Sequence, residues 1–330
     1  MKPKTILARI TVLTLLLSVI LLAGCSQPGK AMPQADQIRV ACMKGPTGIG
    51  LVHLMDQNEQ GQAQNPYVFS IHGSADEITP KLINGELDLA AVPANLASVI
   101  YNNTQGQVEV LAINTLGVNY LVETGTTVKS LDDLRGKTIV ASGKGSSPEF
   151  ALRYLLQENG IDPDQDVTLE WKSEATEVVA LLAQTPGMVA MLPQPYVAVA
   201  QGKVPGLNVA IDLNAVWKDL DNGSLMITGV LVGRKAFVDQ YEAQVETFLE
   251  EYQSSTRLAN ESIPKTAQLT EKYGIVAAAA AEKAIPQCNI TYLAGADMKT
   301  ALSGYLEVLM AQNAKSIGGQ LPDDAFYFQP

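Results

Sequence analysis

The sequence predicts an α/β protein of two similar doubly wound lobes, joined by a hinge that the chain crosses twice. From Ile38 onward, short runs of Val, Ile, Leu and Ala alternate with helical segments, which is typical of parallel strands linked by crossover helices. The same order of elements begins again 100 residues later, so that a Lys-Gly pair follows equivalent strands at 44–45 and 144–145. A last strand and amphipathic helices follow the second block, which indicates a return to the first lobe.

The first 24 residues are predicted to be a signal peptide. Lys2, Lys4 and Arg9 precede the apolar run ITVLTLLLSVILLAG, which is shorter than the roughly 20 residues of a membrane-spanning helix. The run ends in LLAGC, which resembles the bacterial lipobox. That resemblance implies that Cys25 is diacylated and anchors a soluble body to the outer face of a membrane. The alternative is an ordinary signal peptide with an incidental cysteine.

A flexible tether is predicted after the lipidated cysteine, because SQPGKAMPQAD is rich in Pro, Gly and polar residues. Removal of the signal peptide takes away three cationic residues and no acidic one, so the net charge changes from −11 to −14. This argues against a nucleic-acid ligand, but it leaves a small ligand open because local loops determine that. Cys42 and Cys288 either pair outside the cell or stay as buried thiols; the sequence leaves both open.

The first block contains four predicted strands. IRVACM, YVFSIHG and LDLAAVP precede helices near 48–56, 75–84 and 96–102, and VEVLAINT closes the block. These short apolar runs, bounded by Gly, Asn and Pro, predict strands that are buried on both faces.

The second block repeats this order. KTIVASG, VTLEWKS and GMVAMLP precede helices near 148–159, 176–184 and 196–200, and LNVAIDLN closes the block. Identical residues 100 positions apart indicate lobes of like topology. Among them are Val40/Val140, Lys44/Lys144, Glu77/Glu177, Ala90/Ala190 and Pro93/Pro193.

The remaining chain is predicted to pack on lobe 1. The run LMITGVLVGR reads as a strand, and two later segments carry an apolar helical face. These faces consist of Val245, Phe248, Leu249 and Tyr252 in the first segment, and Leu302, Leu306 and Leu309 in the second.

The chain would then cross between the lobes near 116–122 and near 217–228, a hinge suited to closing on a ligand. The predicted boundaries are 1–24 for the signal peptide, 25–36 for the lipidated cysteine and tether, 37–115 for the first part of lobe 1, 116–224 for lobe 2 with the hinge crossings at its ends, and 225–330 for the return to lobe 1.

A ligand is expected outside the carboxyl ends of the strands, between the lobes. The turns there are rich in Gly, Ser, Thr, Asn and Pro, and the helices that follow present free N–H groups with a positive dipole end, which favours a carboxylate, sulfonate or phosphate. The alternative for each hydroxyl is that it only caps its own helix. The candidate ligand-binding residues are Lys44, Gly45, Thr47, Gly48, His72, Ser74, Asn95 and Asn114 in lobe 1, Lys144, Gly145, Ser146, Ser147, Gln194 and Tyr196 in lobe 2, and Trp217 at the second crossing.

Catalytic chemistry finds little support in the sequence. The two histidines, His53 and His72, have no Cys or acidic neighbours at metal-ligand spacing, and no G-x-S-x-G motif occurs. GPTGIG is not the G-x-G-x-x-G of dinucleotide sites, and GKGSS lacks the spacing of a phosphate P-loop. We therefore expect no catalytic residue, no metal and no cofactor.

The sequence resembles substrate-binding proteins of ABC transporters. The resemblance lies in the lipobox, the paired lobes and the segments LRGKTIVASGKGSSPEFALRYLLQENGIDPDQDVTLEW (134–171) and GELDLAAVPANLA (85–97). The closer resemblance is to the sulfonate, nitrate, taurine and thiamine-precursor group, which has the type II periplasmic-binding fold. In that group a Gly-Ser turn opens a helix, as GKGSSPEFAL does here, and a Pro-Tyr-type turn comes later, as in MLPQPY (191–196).

This resemblance implies an extracytoplasmic, lipid-anchored, monomeric solute-binding protein that delivers a small polar or anionic solute to a permease and ATPase without chemistry. The alternative ligand is a flat heterocycle such as a thiamine-pyrimidine precursor, against which Trp217 and Tyr196 would stack. Enzymes of thiamine and menaquinone synthesis share the fold, but the lipobox argues against them. A sensor ectodomain that binds without transport is a third possibility.

Overall fold

Two β-sheets, one in each lobe, organise the chain in this computed structural model, which describes residues 33–329. The predicted α/β class with two lobes of like topology is confirmed. The predicted signal peptide, Cys25 and most of the tether lie outside the described residues.

The strands are β1 Ile38–Met43, β2 Tyr67–His72, β3 Leu89–Pro93, β4 Val108–Leu116, β5 Asn119–Glu123, β6 Thr138–Ser142, β7 Thr168–Lys172, β8 Val189–Pro193, β9 Asn208–Asp212, β10 Ile227–Arg234 and β11 Ile290–Leu293. The helices are α1 Pro46–Ile49, α2 Val52–Glu59, α3 Thr79–Ile83, α4 Ala94–Thr104, α5 Ser147–Glu158, α6 Ala175–Leu182, α7 Tyr196–Lys203, α8 Leu213–Asp219, α9 Lys235–Gln240, α10 Glu242–Glu261, α11 Ile263–Lys272, α12 Ala278–Ala284 and α13 Gly295–Gln312. Short 3₁₀ turns cover Ala75–Glu77, Leu131–Leu134, Ile285–Gln287, Ala314–Ile317 and Asp324–Phe326.

The two sheets share one strand order. Lobe 1 has the order β2-β1-β3-β10-β4-β11, and lobe 2 has the order β7-β6-β8-β5-β9. The two orders correspond strand by strand, except that lobe 1 has β11 as a sixth strand at its edge. In each lobe the first three strands run parallel, and an antiparallel strand then separates the third from the fourth. That strand, β10 in lobe 1 and β5 in lobe 2, is the one that follows a crossing from the other lobe. Each lobe is therefore completed by the chain that arrives from its neighbour.

The third strand of each lobe lies inside its sheet, and its sequence reflects this position. β3 reads LAAVP and is buried along its whole length, while β8 reads VAMLP and is buried up to Leu192. Such continuous apolar runs are expected where helices cover both faces of a sheet. Each strand ends in a proline, Pro93 or Pro193, which lacks an N–H group and so cannot extend the ladder.

Helix positions follow the sequence pattern closely, with two differences. The segment near 48–56 forms the two helices α1 and α2, and the segment near 75–84 forms a 3₁₀ turn followed by α3, which has a proline in its first turn. The apolar faces predicted around Leu152, Phe248 and Leu306 are buried, as expected.

Two strands were not predicted. β5 lies within the segment that was expected to be an extended hinge crossing, and β11 has only four residues. Neither strand has a strong periodic pattern in its own sequence. β5 pairs with β8 and β9, and β11 pairs with β4, so both strands depend on pairing with distant parts of the chain.

A shared apolar core joins the lobes. One cluster of buried side chains contains Ile113 and Val230 of lobe 1, Leu121 and Leu152 of lobe 2, and Leu306 of α13. Helix α13 contacts β4 and α4 in lobe 1 and also α5 in lobe 2. From residue 35 onward the chain accordingly forms one compact unit.

Both cysteines of the described region are buried free thiols. Burial raises the pKa of Cys42 and of Cys288 to about 12, which keeps both in the weakly reactive protonated form at neutral pH. Among residues 33–329, no helix combines the length and apolarity that crossing a membrane requires.

Asp88 ties three strands of lobe 1 together, and we predict that its loss destabilises the fold. Its carboxylate is 2% exposed and accepts bonds from Arg39 Nη2 at 2.6 Å, Arg39 Nε at 2.8 Å and Arg234 Nη2 at 3.3 Å. Asp88→Ala should lower the free energy of unfolding in urea at pH 7 by about 2–3 kcal/mol, because charge-assisted bonds are lost. The matched control is Glu86→Ala, at an exposed neighbour, which should stay within about 0.5 kcal/mol.

The pH dependence gives a second check of the Asp88 prediction. Burial by itself would raise the pKa of Asp88, but hydrogen bonds and charge from Arg39 lower it more, so the pKa in the folded protein lies below its ordinary value. The stabilisation should be complete above the ordinary pKa of about 3.9 and disappear as the pH falls through the folded value. Equal stability of the Asp88 and Glu86 variants at pH 7 would contradict this role.

Candidate functional site

A cleft lies between the lobes, at the carboxyl ends of the strands of both sheets. Its walls follow β1, β2 and β3 in lobe 1 and β6, β7 and β8 in lobe 2, and its floor contains the first residues of β5 and β10. The cleft has a volume of about 320 Å³, which suits a small organic molecule.

The structure brings together candidates from both lobes in this cleft. Those that line it are Lys44, Thr47 and Ser74 from lobe 1 and Lys144, Gly145, Ser146 and Tyr196 from lobe 2. Burial, and more weakly the carboxylate of Glu174, raises the pKa of Tyr196 to about 12, so its phenol remains protonated.

Three other candidates lie in contacts between the lobes. Asn95 is fully buried; its side chain donates to Gly145 O at 3.3 Å and accepts from Ser147 Oγ at 3.1 Å. In a second contact between the lobes, Gln194 Nε2 donates to Gln287 Oε1 at 2.8 Å. Asn95, Ser147 and Gln194 thus hold the lobes against each other, and they do not line the cleft.

Trp217 lies away from the cleft. It is 1% exposed and packs between Tyr154 and Tyr305, with ring centroids 4.8 Å and 5.5 Å apart. Its indole N–H donates to Ser224. The ring therefore packs in the core beside the hinge, where stacking on a ligand is not possible in this conformation.

The remaining candidates support the walls without lining them. Gly45 precedes α1, and Gly48 lies within that helix, where a Cβ atom would stand 2.7 Å from Met43 O. His72 is buried at the end of β2, with its ring nitrogens 3.1 Å from Ser70 Oγ and 3.3 Å from Glu77 Oε2. Asn114 is fully buried behind the cleft floor, against Gly229.

The hydroxyl groups of the walls serve their own turns as well. Thr47 Oγ1 donates to Met43 O at 3.3 Å, and Ser146 Oγ donates to Gly143 O at 2.6 Å. Ser74 forms a capping box with Glu77. Because Thr47 and Ser146 each use their single proton in these bonds, they offer a ligand only acceptor lone pairs.

The amino end of α5 is partly satisfied by the protein itself. The N–H of Gly145 donates to Glu149 Oε2 at 2.6 Å, and Glu149 pairs with Arg153 at 3.1 Å. One of the N–H groups expected to hold an anion is therefore already paired with a carboxylate of the chain. The cationic groups available to an anion in the cleft are its lysines.

Five charged residues line the cleft, and two of them, Lys44 and Lys144, occupy equivalent positions of the two lobes; the others are Asp76, Lys172 and Glu174. Lys44 and Lys144 are exposed, and neither forms an ion pair with a carboxylate of residues 33–329, whereas Lys172 pairs with Glu170 at 2.6 Å. Glu174 forms a capping box with Glu177, just as Ser74 does with Glu77. A methyl group on Gly73 would collide with the Glu174 carboxylate, so the lobes are in close contact there.

Two polar residues of the cleft floor were missed by the sequence analysis. Asn119, at the start of β5, is 1% exposed, and neither polar atom of its amide has a hydrogen-bond partner among the described residues. Thr228, on β10, likewise has a buried hydroxyl oxygen without a partner in that part of the chain. Asn119 lies in the segment predicted as an extended first crossing, whereas Thr228 lies in the predicted strand LMITGVLVGR, at the end of the second crossing; a polar residue at each place was the available signal.

Comparison with known proteins identifies relatives of this arrangement. A model of the NMT1-like family matches residues 69–273. No curated protein sequence is significantly similar to the chain.

Several solved structures share the fold. An ABC transporter structure from Parabacteroides distasonis is 23% identical with a TM-score of 0.72, over 89% of this chain and 99% of that one. The aliphatic sulphonate binding protein SsuA of Escherichia coli is 15% identical with a TM-score of 0.72, over 90% and 93%. The alkanesulfonate-binding protein SsuA of Xanthomonas axonopodis pv. citri, bound to MOPS, is 14% identical with a TM-score of 0.69, over 88% and 96%. These likenesses confirm the predicted type II periplasmic-binding fold.

Gly229 gives a test of how tightly the cleft floor is packed. A Cβ atom at this position would stand 2.7 Å from Asn114 Oδ1 and 2.9 Å from Thr47 Cγ2. Gly229→Ala should therefore lower the free energy of unfolding by about 1–3 kcal/mol, because Asn114 and Thr47 must shift. Gly202→Ala, in α7 with open space around it, should instead stabilise by up to about 1 kcal/mol. Urea unfolding measures both, and a neutral Gly229→Ala would contradict the packing described.

Proposed function

This chain belongs to the NMT1-like family, and we propose that it is an extracytoplasmic solute-binding protein of an ABC importer. It would capture a small polar or anionic organic solute between its lobes and deliver it to a permease. The observation that carries the proposal is the cleft of about 320 Å³, with walls from both lobes at the carboxyl ends of their strands.

The charges of the cleft support an anionic group on the solute, such as a sulfonate or carboxylate. Lys44 and Lys144 occupy equivalent turns, one on each lobe, and both line the cleft. An anion between them would be attracted to both when the lobes are close, so its binding favours the closed state. The sulfonate-binding proteins that share the fold are consistent with this ligand class.

Capture needs no covalent step in this proposal. The solute would bind to the walls and floor, and closure would exclude water and strengthen each hydrogen bond. Contacts between the lobes at Asn95 and Ser147, and at Gly73 and Glu174, fit a closed state that a permease could recognise.

We further propose that the chain is a lipoprotein that acts as a monomer outside the cytoplasm. The proposal rests on the LLAGC sequence, on Cys25 and on the Pro- and Gly-rich tether. The acyl chains would hold the protein near its permease and ATPase partners.

A ligand screen tests the capture function. In thermal-shift and calorimetric titrations against sulfonates, carboxylates, pyrimidines and amino acids, we expect hits among the sulfonates or carboxylates. A ligand at 100 times its Kd should stabilise the chain by about 2.7 kcal/mol.

Ser146→Asp, which adds a charge beside Lys144, should weaken binding of such an anion by about tenfold or more. Gln184→Glu adds the same charge on the exposed surface of lobe 2 and is the control. Hits confined to flat heterocycles, which would stack on Tyr196, would contradict the anionic class, and no hit in any class would contradict capture.

Acylation of Cys25 is tested by labelling. Cells that express the chain and are fed a labelled fatty acid should incorporate the label into the unchanged protein and into Ser26→Ala, but not into Cys25→Ser. Only Cys25 offers the thiol at the predicted cleavage site. An unlabelled wild-type chain would contradict the lipid anchor and leave an ordinary signal peptide.

A further inference from the structure

The two ends of the cleft differ in charge, and the strand order explains why. Every charged residue that lines the cleft follows β1 or β2 in lobe 1, or β6 or β7 in lobe 2. These residues are Lys44, Asp76, Lys144, Lys172 and Glu174. The half of the cleft beside the crossing strands is lined by uncharged side chains, among them Met191, Asn119 and Thr228.

The strand order places the charged turns and the hinge strands on opposite sides of the third strand. In lobe 1, β3 lies between β1 and β10; in lobe 2, β8 lies between β6 and β5. The turn after β1 folds back over β3, so that Thr47 packs against Gly229, but no charged residue that lines the cleft lies on β5 or β10. A charged ligand group at the hinge half would lose its hydration without a counter-charge beside it.

The hinge half nevertheless contains hydrogen-bonding groups without partners. Asn119 offers an amide N–H₂ and a carbonyl oxygen, both unpaired among residues 33–329 although the residue is 1% exposed. Thr228 Oγ1 is buried and equally unpaired within that range. Buried polar groups are normally paired with protein or ordered water. Asn114, also unpaired within residues 33–329, lies behind the floor, whereas Asn119 lines the cavity, where a ligand can pair with it.

We propose that Asn119 and Thr228 form an uncharged polar subsite, which binds a neutral hydrogen-bonding end group of the carboxamide type on a solute whose anionic end lies at the lysine turns. This inference rests on the proposed function and adds the second end of the ligand to it. Asn119 would then discriminate between ligands of equal length. A carboxamide can both donate a hydrogen bond to Asn119 and accept one from it, whereas a carboxylate can only accept and an ammonium can only donate.

The first test needs no ligand and compares two buried asparagines. Asn95 is fully paired, with bonds to Gly145, Ser147 and Ser316. In protein freed of bound solute by unfolding and refolding, Asn119→Leu should keep or raise the melting temperature, because an unpaired polar group is removed. Asn95→Leu should lower it. A decrease in melting temperature for Asn119→Leu as large as that for Asn95→Leu would overturn the proposal, since Asn119 would then have a structural partner.

The second test uses ω-sulfocarboxamides with two to five methylene groups, alongside the ω-sulfocarboxylates and ω-aminosulfonates of equal length. Calorimetry should show the amide binding at least about tenfold more tightly at one chain length, the worth of about one good hydrogen bond. Asn119→Leu should reduce this preference to less than about threefold, and Thr228→Val should reduce it in part.

The proposed subsite would be contradicted if the ω-sulfocarboxylate or the ω-aminosulfonate bound more tightly than the amide. An unchanged preference for the amide in Asn119→Leu would contradict it too. Absence of binding across the whole series would overturn it as well. Capture itself would still be supported if another class in the wider ligand screen bound, so the two proposals can fail separately.

Discussion

The two lobes exchange one antiparallel strand, and this exchange organises the fold. β5 enters the sheet of lobe 2 directly after β4 of lobe 1, and β10 enters the sheet of lobe 1 after leaving lobe 2. Each sheet is thus incomplete without chain that comes from its neighbour. The shared apolar core that contains Leu121 and Val230 follows from this exchange, because each arriving strand brings its own buried side chains.

The same constraint positions the cleft and divides it. Since both arriving strands begin at the boundary between the lobes, their first residues form the floor, and the turns after the parallel strands form the walls. The first and second strands of each lobe lie on the far side of the third, so the charged residues belong to strands and turns that do not pair with β5 or β10. Charge separation within the site is therefore a consequence of topology.

Buried polar side chains fall into two groups around this cleft. Asn95 and Asp88 have their hydrogen bonds satisfied within the protein, and they hold lobes or strands together. Asn119 and Thr228 line the cavity without partners among residues 33–329, and Asn114, behind the floor, is unpaired there as well. Position in the cavity wall, where a ligand can reach them, therefore distinguishes Asn119 and Thr228 from Asn114.

The α/β class, the repeat at 100 residues and the turns with Lys44, Ser74 and Ser146 could be predicted from the sequence, because periodicity, glycine and capping residues are local signals. Which side chains face the cleft is visible only in the folded chain. Trp217 lies in the core and Asn95 bridges the lobes, while Asn119 lies on the floor. These positions depend on strands that pair across long separations in the chain, and no local pattern specifies such a pairing.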